Sequence, residues 1–184
     1  FYFIDNVTHI LRDRRNYMAM VKVAPEVAAE CQKTKSACWY SCLRMLFKWK
    51  NSKGDTSKKV EKILETLDQS PRLYPWEMRD NWGIDANECR EVARLLGLTA
   101  TGDGELDAAA MAEVLKKHGP VWVAGDWGRG SHVIVVTACD PDDGRIRIIN
   151  PYENWSGSET PWTMTDLNKR GSLWKNCDAS VMYW

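Results

Sequence analysis

Residues 32–49 decide how this chain is interpreted; they read QKTKSACWYSCLRMLFKW. From Cys38 onward, apolar side chains recur four, seven, eight and eleven positions later, at Cys42, Met45, Leu46 and Trp49. This spacing places them on one face of an amphipathic helix, which we predict over 37–49. The helix carries a thiol in its first turn, and a glutamine precedes that thiol by six positions.

The second half of the chain has the pattern of an antiparallel sheet. Apolar and β-branched runs predict strands over 121–124, 132–138 and 145–149. The middle run is apolar on both faces, so we expect it to be central. A loop over 125–130 precedes it, and the Asp-, Pro- and Gly-containing residues 140–144 predict a tight turn after it.

Shorter segments complete the predicted fold. Further helices are predicted over 57–67 with Asp55 or Thr56 as the cap, over 86–96, and over 108–117 with Asp107 as the cap. Short strands are predicted over 21–23 and 181–184, and a loop over 68–84. Helices that come before a sheet predict an α+β domain with a helical N-terminal lobe and a C-terminal antiparallel sheet. We assign this domain to residues 21–184 and residues 1–20 to an N-terminal extension of uncertain role.

The composition is that of one globular domain. The 184 residues are 44% hydrophobic and include ten tryptophans, which is enough for a packed core. Lys+Arg and Asp+Glu both total 25, so net charge favours neither nucleic acid nor an anionic membrane as a partner. The sequence contains no run of 18 apolar residues and no recognisable signal peptide. It begins with Phe1, and we expect it to be part of a longer polypeptide or a processed form.

Six cysteines would allow three disulfides, but a domain of this size does not need them and their spacing matches no small disulfide scaffold. The cysteines and the three histidines are too scattered to favour a zinc site. Free thiols, one of them reactive, are the simpler interpretation. Cys38 is the candidate, because the N-terminus of a helix favours a thiolate. The alternative is that Cys38, like Cys42, is a small buried apolar residue.

His132 opens the predicted central strand, and Asn150 ends the next one, 18 residues later (150 − 132). If residues 139 and 145 face each other across the turn, His132 and Asn150 become diagonal neighbours on one face of the sheet. A carboxamide oxygen could then hold the imidazole N–H, although a single β-bulge would change this relation. Taken alone, His132 is equally a hydrogen-bonded core histidine and Asn150 a turn residue.

Gln32 is placed to act together with Cys38. Its side-chain N–H and the backbone N–H of Cys38 would bind the oxyanion of a tetrahedral intermediate. The alternative is a solvated glutamine in a polar stretch. Trp39, Asp126 and Trp127 are candidates for lining a substrate cleft, with core packing as the alternative for the tryptophans.

The glutamine, the Cys-Trp pair, the histidine and the asparagine together resemble the papain-like cysteine peptidases. Their order, and the gap of six residues between Gln32 and Cys38, are those of that clan. The resemblance covers residues 21–184 and is greatest to compact bacterial members, the bacteriocin-leader peptidases and the effector proteases injected into host cells. It implies a papain-like two-lobed fold, whose helical lobe carries the cysteine and whose sheet carries the histidine and asparagine.

By this resemblance Cys38 is the nucleophile, His132 the general base and acid, Asn150 the residue that orients the histidine, and Gln32 the oxyanion donor. No metal or organic cofactor is needed. The plant enzymes have a Gly/Ser-rich approach to the nucleophile, where this chain has residues 35–37, Lys-Ser-Ala. They also have a shielding tryptophan soon after the asparagine; here the nearest is Trp155, five residues on. Some compact bacterial relatives have aspartate at the asparagine position.

The sequence and the resemblance together predict a bacterial thiol protease that cleaves a protein or peptide substrate. We expect it to be the toxin or effector domain of a larger secreted or injected protein, acting in the cytoplasm of a target cell. A cognate immunity or inhibitor protein that blocks the cleft is an expected partner. Two alternatives stay open: amidase, deamidase or transglutaminase chemistry on protein or cell-wall amides, and a catalytically silent binding module on the same fold.

Overall fold

The structure, a computed structural model, describes residues 20–73, 83–101, 106–127, 130–152, 155–156, 162–173, 177 and 179–184. The predicted N-terminal extension lies outside these residues except for Met20. The predicted loops over 68–84 and 125–130 are described only in part, because 74–82 and 128–129 are outside them.

The described residues form five α-helices and one short 3-10 helix. The α-helices are α1 (Cys38–Ser52), α2 (Lys62–Leu67), α3 (Cys89–Leu96), α4 (Ala108–His118) and α5 (Met164–Leu173), and the 3-10 helix Ala86–Glu88 leads directly into α3. Within the described residues, no helix combines the length and the apolar character that crossing a membrane requires.

Eight strands form one antiparallel sheet. They are β1 (Val21–Lys22), β2 (Thr99–Thr101), β3 (Val121–Asp126), β4 (Ser131–Cys139), β5 (Arg145–Asn150), β6 (Trp155–Ser156), β7 (Trp162–Thr163) and β8 (Val181–Tyr183). The strand order is β2-β8-β3-β4-β5-β6, with β1 paired to one end of β4 and β7 paired to β5. The prediction that 132–138 forms a central strand is confirmed, because β4 pairs with β1, β3 and β5.

Helix α1 packs its apolar stripe against the sheet, as the spacing from Cys38 predicted. All five residues of that stripe are buried. The indole N–H of Trp122 on β3 donates to the Trp39 carbonyl at 3.2 Å, and the indole of Trp49 donates to the Pro25 carbonyl at 3.0 Å. The first and the last turn of α1 are therefore both tied to the rest of the domain.

The other predicted helices are confirmed in part. Helices α3 and α4 form where expected; Gly97 ends α3 in the left-handed conformation, and Asp107 caps α4 by accepting the Ala110 N–H at 2.7 Å. The predicted start of α2 at residue 57 is wrong, because the chain turns up to residue 61 and the helix begins at Lys62. Asp55 bonds to Ser57 within that turn and does not cap the helix.

Candidate active site

Cys38 is the first residue of α1 and is only 8% exposed. No side chain caps this helix at Ala37, so the first-turn N–H groups have no side-chain acceptor at that position. Burial raises the pKa of the Cys38 thiol above its ordinary value. The backbone N–H groups of Val133, Trp39 and Cys38 face the sulfur and oppose this shift by favouring the thiolate, but burial is the larger effect.

Val133 connects helix α1 to strand β4 through both of its peptide groups. Its N–H bonds to the Cys38 sulfur, and its carbonyl accepts the S–H of Cys42, one helical turn later, at 3.5 Å. Burial raises the pKa of Cys42 well above its usual range, so this second sulfur stays a thiol and a donor. Since Val133 directly follows His132, these contacts bring the Cys38 sulfur to the strand position next to the histidine.

His132 and Asn150 are hydrogen-bonded, with 2.8 Å between the histidine Nε2 and the asparagine Oδ1. The same Oδ1 accepts the backbone N–H of Tyr152 at 3.0 Å. A carboxamide oxygen can only accept, so Nε2 must be the protonated nitrogen of His132. The other ring nitrogen, Nδ1, then keeps its lone pair and is the one that can take a proton.

The register of β4 and β5 explains this contact. Cys139 faces Ile146 and not residue 145, so the expected closing pair of the hairpin is wrong by one position. A β-bulge at Thr137 then shifts the ladder by one residue, and Val136 faces Ile148 as the predicted register requires. The two deviations cancel, which leaves His132 and Asn150 as diagonal neighbours at the far end of the hairpin.

Burial also acts on the histidine. It lowers the pKa of His132, while the hydrogen bond to Asn150 opposes that shift by favouring the imidazolium. The pKa of Cys38 moves up and that of His132 moves down, so both shifts favour the neutral thiol and the neutral imidazole in this conformation.

Gln32 lies at the site but turns its amide towards the chain leading into α1. Its Nε2 donates to the carbonyls of Thr34 at 2.7 Å and Lys35 at 3.0 Å, while its Oε1 is buried with no hydrogen-bond partner among the described residues. Its backbone N–H donates to the Pro151 carbonyl at 2.8 Å, directly after Asn150. Both amide hydrogens are engaged, so binding an oxyanion requires a rotation of this side chain.

The three candidate cleft residues differ in position. Trp39 is 2% exposed, so its ring belongs to the core; this argues against the substrate contact expected of it. Asp126 ends β3 opposite Ser131 and is half-buried, as is Trp127, the next residue. The ring of Trp127 meets the ring of His132 edge-on, with 5.9 Å between centroids and 85° between planes.

Two further residues at the site were not identified from the sequence. Trp162 packs on Trp127 with 4.8 Å between ring centroids, and the guanidinium of Arg170 lies over both rings. Arg170 belongs to α5, which the periodicity of the sequence did not indicate. Reciprocal hydrogen bonds between Thr163 and Asp166 form a capping box at its start, and this Thr-x-x-Asp pattern was the available signal. Among the described residues, no group of three or more His, Cys, Asp or Glu could hold a metal ion.

The sequence model of the family described as papain-like cysteine protease AvrRpt2 matches residues 21–170. The chain belongs to this family. It is a papain-like cysteine peptidase, as the order of the candidate residues predicted, and therefore a hydrolase. A search of curated proteins found no match.

A solved structure shows that the peptidase shares its fold with a distant protein. A crystal structure described as a C39-like peptidase from Bacillus anthracis is 9% identical, covering 89% of this chain and 96% of that chain, with a TM-score of 0.56. The peptidase domain of Streptococcus ComA, a bifunctional ABC transporter involved in quorum sensing, is 14% identical over 86% of this chain and 97% of its own, with a TM-score of 0.46. The predicted α+β papain-like fold is confirmed.

Proposed function

We propose that this peptidase hydrolyses a protein substrate with Cys38 as the nucleophile, His132 as the general base and acid, and Asn150 as the residue that orients the histidine. The observation that carries the proposal is the 2.8 Å bond from His132 Nε2 to Asn150 Oδ1. It fixes the tautomer in which Nδ1 is basic, while Val133 holds the Cys38 sulfur one residue away along the chain.

Before the reaction, the Cys38 thiol and the His132 imidazole are both neutral. As substrate binds, the Cys38 proton passes to His132 Nδ1 and the thiolate attacks the scissile carbonyl carbon. The Cys38 backbone N–H stabilises the resulting oxyanion, and Gln32 joins it after its amide leaves the carbonyls of Thr34 and Lys35. His132 then gives its proton to the leaving amine, and an acyl-enzyme remains. A water molecule that loses its proton to His132 hydrolyses the thioester and restores the thiol.

The biological role that we propose is that of an effector or toxin domain, secreted or injected by a bacterium and active in the cytoplasm of a target cell. Support comes from the family, which bears the name of AvrRpt2, a bacterial injected effector. An immunity or inhibitor protein that covers the cleft would protect the producing cell. A translocation reporter fused to the full-length protein tests the delivery; a signal that stays in the producing cell would reject it.

Labelling with the thiol-specific epoxide E-64 tests the nucleophile. Wild type is expected to form one adduct at Cys38, and Cys38→Ala none. Cys31→Ala is the matched control, since it removes an exposed thiol and should label like wild type. An adduct elsewhere, or none on the folded wild type while substrate is still cleaved, would contradict the assignment of Cys38.

Mass spectrometry of proteins exposed to the enzyme tests the reaction. New peptide termini that appear with wild type and not with Cys38→Ala mean proteolysis. A gain of about one dalton at glutamine side chains without new termini would mean deamidation and would reject the proposed reaction while keeping the thiol mechanism. No change of either kind would favour a binding module.

A further inference from the structure

Trp127 makes three contacts with residues at the start of β4, Gly130 and His132. Its indole N–H donates to the carbonyl of His132 at 3.1 Å, and its backbone N–H donates to the carbonyl of Gly130 at 3.1 Å. Its ring stands edge-on to the imidazole, in the geometry that aromatic pairs prefer. One side chain thus holds both the backbone and the ring of His132.

Trp127 also contacts strand β7 and helix α5. Trp162 packs against it and Arg170 lies over it, with 5.2 Å from the guanidinium carbon to the ring centroid. Helix α5 can bring Arg170 this close because residue 125 on β3 is a glycine; a Cβ there would lie 3.0 Å from the Arg170 backbone. The indole of Trp127 is therefore in contact with the imidazole, with a second indole and with a guanidinium.

We propose that Trp127 is the positioning residue for His132: it keeps the imidazole in the orientation in which Nε2 bonds to Asn150, and it keeps water away from that bond. This inference rests on the catalytic role proposed for His132. Trp155 departs from the shielding tryptophan of the plant enzymes, since it lies five residues beyond Asn150, and its side chain is outside the described residues; Trp127 contacts the histidine directly.

The physical basis is that a hydrogen bond shielded from water is stronger and exchanges its proton more slowly. A packed aromatic ring also restricts rotation of the imidazole about its side-chain bonds. Loss of Trp127 should therefore impair the chemical step more than substrate binding, because His132 acts on the reacting proton and not on substrate affinity.

Nuclear magnetic resonance of the His132 Nε2–H proton tests this directly. The measurement uses the Cys38→Ala protein, so that its result does not depend on Cys38 being the nucleophile. The proton is expected to be observable and slow to exchange with water when Trp127 is present. With Trp127→Ala it should exchange too fast to observe. With Trp127→Phe, which keeps a ring and loses the indole N–H, an intermediate rate is expected.

Kinetics in the active protein supply the second readout. Trp127→Ala should lower kcat on the order of tenfold with KM changed less than about twofold, and Trp127→Phe should recover most of the loss. The control is Trp184→Ala, which removes an indole that packs on Phe47 beneath Lys50 and Lys58. It should leave the Nε2–H proton and the kinetics unchanged.

Two outcomes would overturn the proposal. One is a His132 proton that is equally protected in Trp127→Ala and Trp127→Phe. The other is a loss of protection of the His132 proton in Trp184→Ala as large as the loss in Trp127→Ala, which would show general loosening of the domain. If Cys38→Ala retained full peptidase activity, the proposed function would fail instead, and the proton measurement would still report on Trp127.

Discussion

Asn150 is the residue whose replacement tests the proposed mechanism most sharply. Its Oδ1 accepts two N–H groups, from His132 Nε2 and from the Tyr152 backbone. Asn150→Ala removes both bonds. It leaves the contacts between Trp127 and His132 in place, so the imidazole stays at the site but loses the acceptor that selects its tautomer.

The expected loss follows from the type of bond. A hydrogen bond to a group that becomes charged during the reaction contributes about 1.5–3 kcal/mol. At about 1.4 kcal/mol per factor of ten, Asn150→Ala should lower kcat about tenfold to 150-fold. This bond also favours the imidazolium, so its loss should lower the pKa of His132 further, in the same direction as burial.

The assay measures kcat and KM over a range of pH for Asn150→Ala and Asn150→Asp. Aspartate keeps both acceptor positions and adds a negative charge, which raises the pKa of His132. His132 has to be neutral to take the Cys38 proton, so activity is lost as pH falls through the pKa of His132. Asn150→Asp should therefore stay within about tenfold of wild type at high pH but lose activity at a higher pH than wild type on acidification, and Asn150→Ala should lose it at a lower pH.

A control separates the effect of losing the hydrogen bond to His132 from that of losing the hydrogen bond to the Tyr152 backbone. Asp55→Ala also removes a side-chain acceptor from the backbone N–H two residues on, here Ser57 at 3.2 Å, with no histidine involved. Its activity should match wild type. Full activity in Asn150→Ala, or a shift of the pH profile in the same direction in Asn150→Ala and Asn150→Asp, would refute the proposed role of Asn150.

Two further results are expected. Cys38→Ala and His132→Ala should each lower kcat more than about 10³-fold at unchanged thermal stability, since each removes a reacting group. A smaller loss of kcat in either variant would argue against the catalytic role of the residue replaced in it. Gly119→Ala should lower the free energy of unfolding in urea by about 1–3 kcal/mol more than Gly54→Ala does. An equal loss of stability in the two variants would contradict the packing of Gly119 against Trp49. Both glycines have positive φ, but only a Cβ at residue 119 would clash, at 2.2 Å from the ring of Trp49.

The core elements of the fold were predictable because each has a long, unbroken periodic pattern. Helix α1 shows its stripe over three turns, β3 and β4 are apolar runs bounded by turn residues, and β5 alternates arginine and isoleucine. The start of α2 was not predictable in the same way. Val60 and Ile63 have helical spacing and are both buried, but Val60 is buried from a turn that precedes the helix.

The elements that were missed are short or lack a stripe. Strands β2, β6 and β7 have two or three residues each, and β2 depends on β8, a partner distant in sequence. Helix α5 buries Met164 and Leu167, but most of its other residues are polar and it contains a glycine, so its pattern is weak. Since α5 carries Arg170, the layer behind Trp127 was missed together with the helix.

At the site, the order of residue types along the chain predicted more than any single residue did. His132 and Asn150 were expected as diagonal neighbours, and they are bonded, although by a register with a bulge that the sequence does not reveal. The bulged Thr137 keeps its carbonyl paired, because Val23 beside β1 donates to it at 2.9 Å. A contact from the start of the domain thus supports the register that the histidine needs.

The peptide groups of Val133 show how helix α1 and strand β4 bring the Cys38 sulfur to the residue next to His132. The helix contributes two sulfurs one turn apart, and β4 contributes one N–H and one carbonyl between them. Cys42 is fully buried with a strongly raised pKa, so it stays a thiol and donates to the Val133 carbonyl, while the Val133 N–H faces the Cys38 sulfur. The two contacts together place the Cys38 sulfur at the strand position next to His132.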